Sequence, residues 1–352
     1  MSRSLFKEGG ELNTTRVGPD RYEMKVTIPS DTDGRLGREC HEPDCSPAYF
    51  KVTPGTGIVG GQEVAYCPYC RHQDEPSKFF SSEQLRYAKD LALREAREGI
   101  TGMIKDAFGL DSSGRRKLAG GFISIDMSLK EGHKPHVSRP FEEDVRRDVI
   151  CPHCGLDQSV YGLATWCADC GKDIFLTHVE AEFAVIRSML SDVDRRREQF
   201  GGRIAARDIE NCLEDTVSIF EAVLRLLARR KLLKAEVVAE DVEKFFRKAS
   251  NAFQNLKRSA EIFEQELGIA LLGCLSEEES LQLSCAFDKR HPITHNLGVI
   301  DRKYMERARS AEDEGKEVLV SVDEVSTAIT TSMKVFGWVH SSLFQDVTGL
   351  AP

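Results

Sequence analysis

The pattern of apolar and polar positions divides the chain into two parts. Up to about residue 172 the apolar runs are short and separated by turn-forming residues; from Phe175 onward they recur every three or four positions over long stretches. Short alternating runs signal strands, and a 3.6-residue period signals amphipathic helices. In the first part, residues 22–28 alternate loosely and stop at Pro29, residues 49–52 and 64–66 flank the loop at 54–57, and residues 121–129 complete the predicted strands. A helix is expected over 85–97, with Ser82 as its N-cap and Gly99 as its stop. A polar turn is expected at 31–34, a polar, basic one at 112–117, and a loop at Pro135 and Pro140. In the second part, helices are expected at about 175–199, 204–233, 239–268, 277–288, 293–310 and 321–346, with Gly201-Gly202 dividing the first two. Short polar connections make such helices antiparallel neighbours.

Eight of the 11 cysteines fall into four close pairs: Cys40 with Cys45, Cys67 with Cys70, Cys151 with Cys154, and Cys167 with Cys170. A two-residue gap in a tight turn lets two sulfurs converge on one ion, and two such turns complete a tetrahedral thiolate shell. Gly155 and Gly171 directly follow a cysteine, where such a turn favours positive φ. The basic residue near the start is followed by no long apolar core, so no secretory leader is expected. No apolar run is long enough to span a bilayer, so no membrane partner is expected either. A cytoplasmic, reducing setting favours thiolates on metal over disulfides. The expectation is two structural Zn2+ ions, each closed by four cysteines, with no open position for catalysis. His41, His72 and His153 sit beside ligands and are read as exposed neighbours; Cys212, Cys274 and Cys285 are read as core.

The clusters resemble zinc ribbons, which bind nucleic acid, bind protein or staple a small fold. The expected fold is multidomain: a small β-rich zinc-ribbon region and an all-α bundle. Its segments are 1–110 (first ribbon with a following helix), 111–172 (second ribbon with a preceding β segment) and 173–352 (the bundle). The formal net charge is −9. That balance argues against a body gripping long duplexes, and hence against a DNA-binding regulator, so any nucleic-acid contact needs a local patch. Arg71, Lys78, Arg115, Arg116 and Lys117 are candidates for phosphate contacts in the first part.

The second signal is Arg290-His291-Pro292-Ile293-Thr294-His295-Asn296. Proline suits the first turn of a helix and turns its predecessor away from the α region, so a helix is expected to start at Pro292 with Arg290 and His291 outside it. In an unbroken helix, five residues would set Arg290 and His295 about 140° apart. A break lets both turn to one pocket at a helix N-terminus, which attracts anions.

This motif resembles the signature of the HEPN superfamily of helical-bundle proteins: Arg, a polar residue directly after it, and His after a gap of four to six. The stretch from His295 to Tyr304, then residues 317–321 and a closing helix, are similar to many bacterial members, and the likeness covers about 175–347. The resemblance implies metal-independent endoribonuclease activity on RNA, in which a 2′-hydroxyl attacks its own phosphate. It implies Arg290 and His295 as the catalytic pair, with His291 as a helper and Asn296 as a phosphate-orienting or capping group. Glu214 or Asp215 is a candidate for an assisting acid. It further implies a homodimer with two facing Arg–His pairs, and a toxin or anti-phage effector answering to a regulatory protein or phage trigger. The rival expectation is a non-catalytic adaptor that binds nucleic acid or protein.

Overall fold

The computed structural model describes residues 12, 14–19, 21–120, 123–132, 136–308 and 313–344. The chain divides into two compact units, Met1–Asp173 and Ile174–Pro352. Among the described residues, no helix is long and apolar enough to cross a membrane.

The N-terminal unit is built from short strands. They are β1 (Thr15–Gly18), β2 (Arg21–Glu23), β3 (Leu36–Glu39), β4 (Tyr49–Val52), β5 (Ala65–Tyr66) and β6 (Gln73–Asp74), then helix α1 (Ser82–Ala107), β7 (Arg115–Gly120), β8 (Ile123–Ser128), β9 (Arg147–Ile150) and β10 (Asp157–Val160). The main sheet is four-stranded and antiparallel, in the order β3-β4-β10-β9, with Arg38 opposite Phe50 and Phe50 opposite Val160. Its first two strands precede residue 110 and its last two follow it. The two expected ribbon segments therefore share one sheet instead of forming separate pieces. Phe50, Val149 and Val160 are buried in it. The buried Lys51 is neutralised by Asp31 at 2.8 Å.

Several local expectations change. The strand expected over 22–28 stops at Glu23, and beyond it Lys25 N–H reaches Leu12 O at 3.0 Å without building a ladder. Helix α1 starts at Ser82, three residues before the expected 85, and runs through Gly99 and Gly102. Ser81, not Ser82, caps it: Ser81 Oγ accepts from Gln84 N–H at 3.3 Å, and Gln84 Oε1 accepts from Ser81 N–H at 3.2 Å. A glycine inside a helix costs only about 1 kcal/mol, too little to end a well-capped one. The basic turn closes at Gly114, where Asp111 accepts from Arg115 N–H; Arg115, Arg116 and Lys117 belong to β7. Of the strand expected over 121–129, β8 accounts for Ile123–Ser128, and residues 121 and 122 lie outside the described residues.

The C-terminal unit is helical: α2 (Phe175–Ser191), α3 (Val193–Phe200), α4 (Gly202–Lys234), α5 (Ala239–Ala249), α6 (Leu256–Leu267), α7 (Glu277–Asn296), α8 (Arg302–Ala308) and α9 (Val322–Phe344). Helix α4 is its axis and packs against α2, α3, α5, α6, α7 and α9. Its buried residues Leu213, Val217, Phe220, Leu224 and Leu227 follow the helical period. Phe220 meets Phe287 of α7 edge-on at 5.0 Å and Phe336 of α9 at 5.1 Å, and Phe336 stacks with Phe183 of α2 at 6.2 Å. Lys289 fastens α7 to the start of α9 through Glu324 at 2.9 Å and Leu319 O at 2.8 Å.

The helix expected over 239–268 is two helices. Ser250 takes φ 44°, a short 3-10 turn covers Ala252–Gln254, and Asn255 caps α6 by accepting from Arg258 N–H at 3.0 Å. Asparagine and serine side chains compete for backbone groups, which favours caps and turns over helix interiors. The helix expected over 175–199 likewise divides at Asp192, whose carboxylate turns to Arg195. The expected helix ends at 309–310 and 345–346 lie outside the described residues.

Because Phe220 joins three helices, Phe220→Ala is expected to destabilise the helical unit by about 3–5 kcal/mol. Urea unfolding followed by helical circular dichroism checks this; an unchanged midpoint would contradict the packing.

Candidate functional site

The cysteines converge as two tetrads. Cys40, Cys45, Cys67 and Cys70 form one and Cys151, Cys154, Cys167 and Cys170 the other, with all four sulfurs of each within 4.8 Å of one another. Sγ separations are 3.7 Å for Cys40–Cys70, 3.6 Å for Cys45–Cys67, 3.7 Å for Cys151–Cys170 and 3.5 Å for Cys154–Cys167. A tetrahedron with metal–sulfur bonds of about 2.3 Å has edges of about 3.8 Å, so both tetrads fit one metal ion. Burial pushes the thiols of Cys154 and Cys167 upward, so four thiolates can share such a site only around a cation.

Three half-sites share one backbone turn. The first cysteine's N–H donates to the carbonyl five residues on: Cys67 to His72 at 2.8 Å, Cys151 to Leu156 at 2.8 Å and Cys167 to Lys172 at 2.9 Å. The residue after the second cysteine donates back to the first cysteine's carbonyl with φ of 65° at Arg71, 78° at Gly155 and 63° at Gly171. Backbone N–H groups of Tyr69, His72 and His153 also donate to Cys67, Cys70 and Cys151 sulfurs at 3.4 Å, which favours thiolate charge. Arg71, which must adopt a conformation suited to glycine, stacks its guanidinium over Trp166 at 4.4 Å. His72 faces Glu42 at 2.9 Å and His41 faces Phe80 O at 3.0 Å, away from the sulfurs.

The two tetrads are knitted together. Pro68 O, between Cys67 and Cys70, accepts from Thr165 N–H at 2.9 Å and Trp166 N–H at 3.1 Å, and Tyr66 N–H donates to Ala168 O at 2.8 Å.

The helical unit holds the second feature, a cleft of about 560 Å³ between the C-terminal half of α7, the 3-10 turn and start of α6, and α8. Arg290, His291 and His295 all line it. The route to that arrangement differs from the expected one. Helix α7 runs unbroken from Glu277 to Asn296 with Pro292 inside it, so Arg290 and His291 are helical and no helix starts at Pro292. Proline removes only one N–H bond here, in the last turns of the helix. Gly298 N–H closes the end onto Pro292 O at 2.8 Å, with Leu297 in the left-handed region at φ 52°. His291 and His295 lie one turn apart on one face, with ring centroids 5.1 Å apart. The long arm of Arg290 reaches the same cleft, where one Nη donates to Gln254 Oε1 at 3.1 Å. Its Nε is buried with no hydrogen-bond partner among the described residues. Helix starts at the cleft are those of α6, through Lys257 and Arg258, and of α8, through Lys303.

Two expected participants are elsewhere. The Asn296 amide donates to Val299 O at 2.7 Å and closes the loop after α7, outside the cleft lining. Glu214 accepts from Thr294 at 2.7 Å, and neither it nor Asp215 lines the cleft. The sequence reading missed Gln254, Asn251, Asn255, Lys257, Arg258, Glu261 and Lys303, which complete the lining with Phe287. The break at Ser250-Asn251 and the cap at Asn255 were its available signal. Comparison with protein-family models, with curated proteins and with solved structures finds no significant match to this chain.

Chelation in mild acid, which protonates thiolate ligands, is expected to make the eight tetrad thiols reactive toward a thiol reagent while most helical signal remains. Equal thiol reactivity before and after chelation would contradict metal occupancy.

Proposed function

We propose that the chain is a metal-independent endoribonuclease of the HEPN type, with two structural zinc ions in its N-terminal unit. The observation that carries this reading is the convergence of Arg290, His291 and His295 on one cleft rich in cations. Cleavage forms a bond from the 2′-oxygen to phosphorus and breaks the bond to the 5′-oxygen. One proton leaves the 2′-hydroxyl and one reaches the departing oxygen, so a base and an acid are needed. Two neighbouring imidazoles suit that division: His295 is assigned one transfer and His291 the other. Arg290, already half-buried and holding only a neutral amide, is suited to the non-bridging phosphate oxygens, where negative charge builds in the transition state. The products are a cyclic phosphate and a free 5′-hydroxyl. DNA lacks the nucleophile and is refused.

The same reading includes a homodimer that brings two Arg–His pairs face to face, and a cytoplasmic effector acting in toxin or anti-phage defence under a regulatory trigger. These rest on the likeness of the motif and on the fit of thiolate metal sites to a reducing compartment. Zinc is the ion proposed because it favours closed tetrahedral sulfur sites.

The test is incubation of RNA with the purified chain in EDTA. Wild type is expected to leave cyclic-phosphate ends, and Arg290→Ala and His295→Ala to lose at least about 100-fold in rate. Asn296→Ala is expected to stay close to wild type. Equal cleavage by wild type and both variants would overturn the assignment, and binding without cleavage would favour a non-catalytic adaptor. Elemental analysis is expected to find two zinc ions per chain; iron in their place would contradict the ion assigned.

A further inference from the structure

The cleft is larger than one phosphodiester requires, and its cations stand on two sides. Arg290, His291 and His295 come from α7, whereas Lys257 and Arg258 come from the first turn of α6 and Lys303 from α8. Elsewhere in the helical unit many cations meet carboxylates, such as Arg196 with Asp208, Arg225 with Glu221, Lys248 with Glu266 and Lys334 with Glu279. Lys257, Arg258 and Lys303 form no ion pair among the described residues. Glu261, one turn along α6, also lines the cleft but is within ion-pairing distance of none of them. The first turn of α6 carries no acidic side chain. Three uncompensated cations around a concave surface, on a chain of net charge −9, concentrate positive potential at one place. An anion bound among them would relieve their mutual repulsion, and a fourth cation, Arg290, faces the same space with a buried, unpaired Nε.

Resting on the ribonuclease reading above, we infer that Lys257, Arg258 and Lys303 form a second phosphate subsite, which holds a flanking phosphate of a single-stranded polyribonucleotide while Arg290 and the two histidines hold the scissile one. The substrate class is therefore a strand longer than a dinucleotide. A dinucleotide, with one internal phosphate, fills only the α7 side. The α6 and α8 cations contribute to binding and register and take no part in proton transfer, so they are not catalytic residues.

The experiment measures binding of two uncleavable probes, a 2′-O-methyl single-stranded oligonucleotide and a 2′-O-methyl dinucleotide, to the full chain. Wild type is compared with the double variant Lys257→Glu/Arg258→Glu and, on a separate element, with Lys303→Gln. Helical circular dichroism verifies folding. The double variant is expected to bind the oligonucleotide at least about tenfold more weakly, with the salt-dependence slope reduced by about 1.4 or more for two lost contacts on a single strand. Lys303→Gln is expected to give a smaller loss in the same direction, and dinucleotide binding to stay within about twofold of wild type. If the oligonucleotide binds wild type and both variants alike, binds none of them, or loses no more than the dinucleotide does, the subsite is overturned. Should RNA cleavage be absent while the length-dependent loss of binding appears, the ribonuclease reading fails and the phosphate subsite stands.

Discussion

A guanidinium held half-buried beside a neutral amide is the constraint on which the account of the helical unit turns. The guanidinium of Arg290 is a cation, and its hydrogen bond to Gln254 supplies no opposite charge. An anion completing the site would offset the cost of partly desolvating that charge. The surrounding fold maintains the situation. Phe287, three residues before Arg290, is pinned by Phe220 in the core, and Lys289 is tied to α9. The register of α7 is therefore fixed by core packing at Phe287 and an ion pair at Lys289. Gln254 depends in turn on the break after α5, where Arg225 donates to Ser250 O.

The N-terminal unit solves a different problem. Its strands are two to six residues long, and such pieces bury too little apolar surface to hold a fold alone. Each tetrad offers a tetrahedral thiolate shell instead. The shared hydrogen bonds at Pro68 and Ala168 couple the two tetrads, so an ion bound at one supports the turns of the other. With four cysteine ligands per ion there is no open coordination position, and these sites are suited to structure rather than catalysis.

Both sites were legible in the sequence to different depths. The cysteine spacing named all eight tetrad cysteines because close pairs in tight turns are a local constraint, and local constraints are readable from neighbours. Strand β4 was legible for the same reason. The four-stranded sheet was not, since its pairing of β4 with β10 joins residues about a hundred positions apart, which no window of sequence reveals. The placement of Arg290, His291 and His295 in one pocket followed from the motif, but the expected break at Pro292 did not: the proline sits where a helix is about to end and one missing bond is tolerated. Of the two roles open to Asn296, orienting phosphate or capping, the structure shows its amide closing the turn after α7. The opposite wall of the cleft, from Asn251 to Glu261, was hidden because the helix expected over 239–268 had no proline or glycine to mark its division. Only the serine and asparagine side chains at 250, 251 and 255 announced it.

On the proposed ribonuclease reading, the Arg–His cleft promotes attack by a 2′-hydroxyl on its own phosphate. The most direct measurement replaces one nucleotide of a cleaved RNA oligonucleotide by its 2′-deoxy counterpart and maps the products. Cleavage is expected to stop after that nucleotide alone and to continue elsewhere, always leaving 5′-hydroxyl ends. Cleavage after the deoxy position, or 5′-phosphate ends, would mean that another nucleophile does the work and would contradict the assignment of Arg290 and His295.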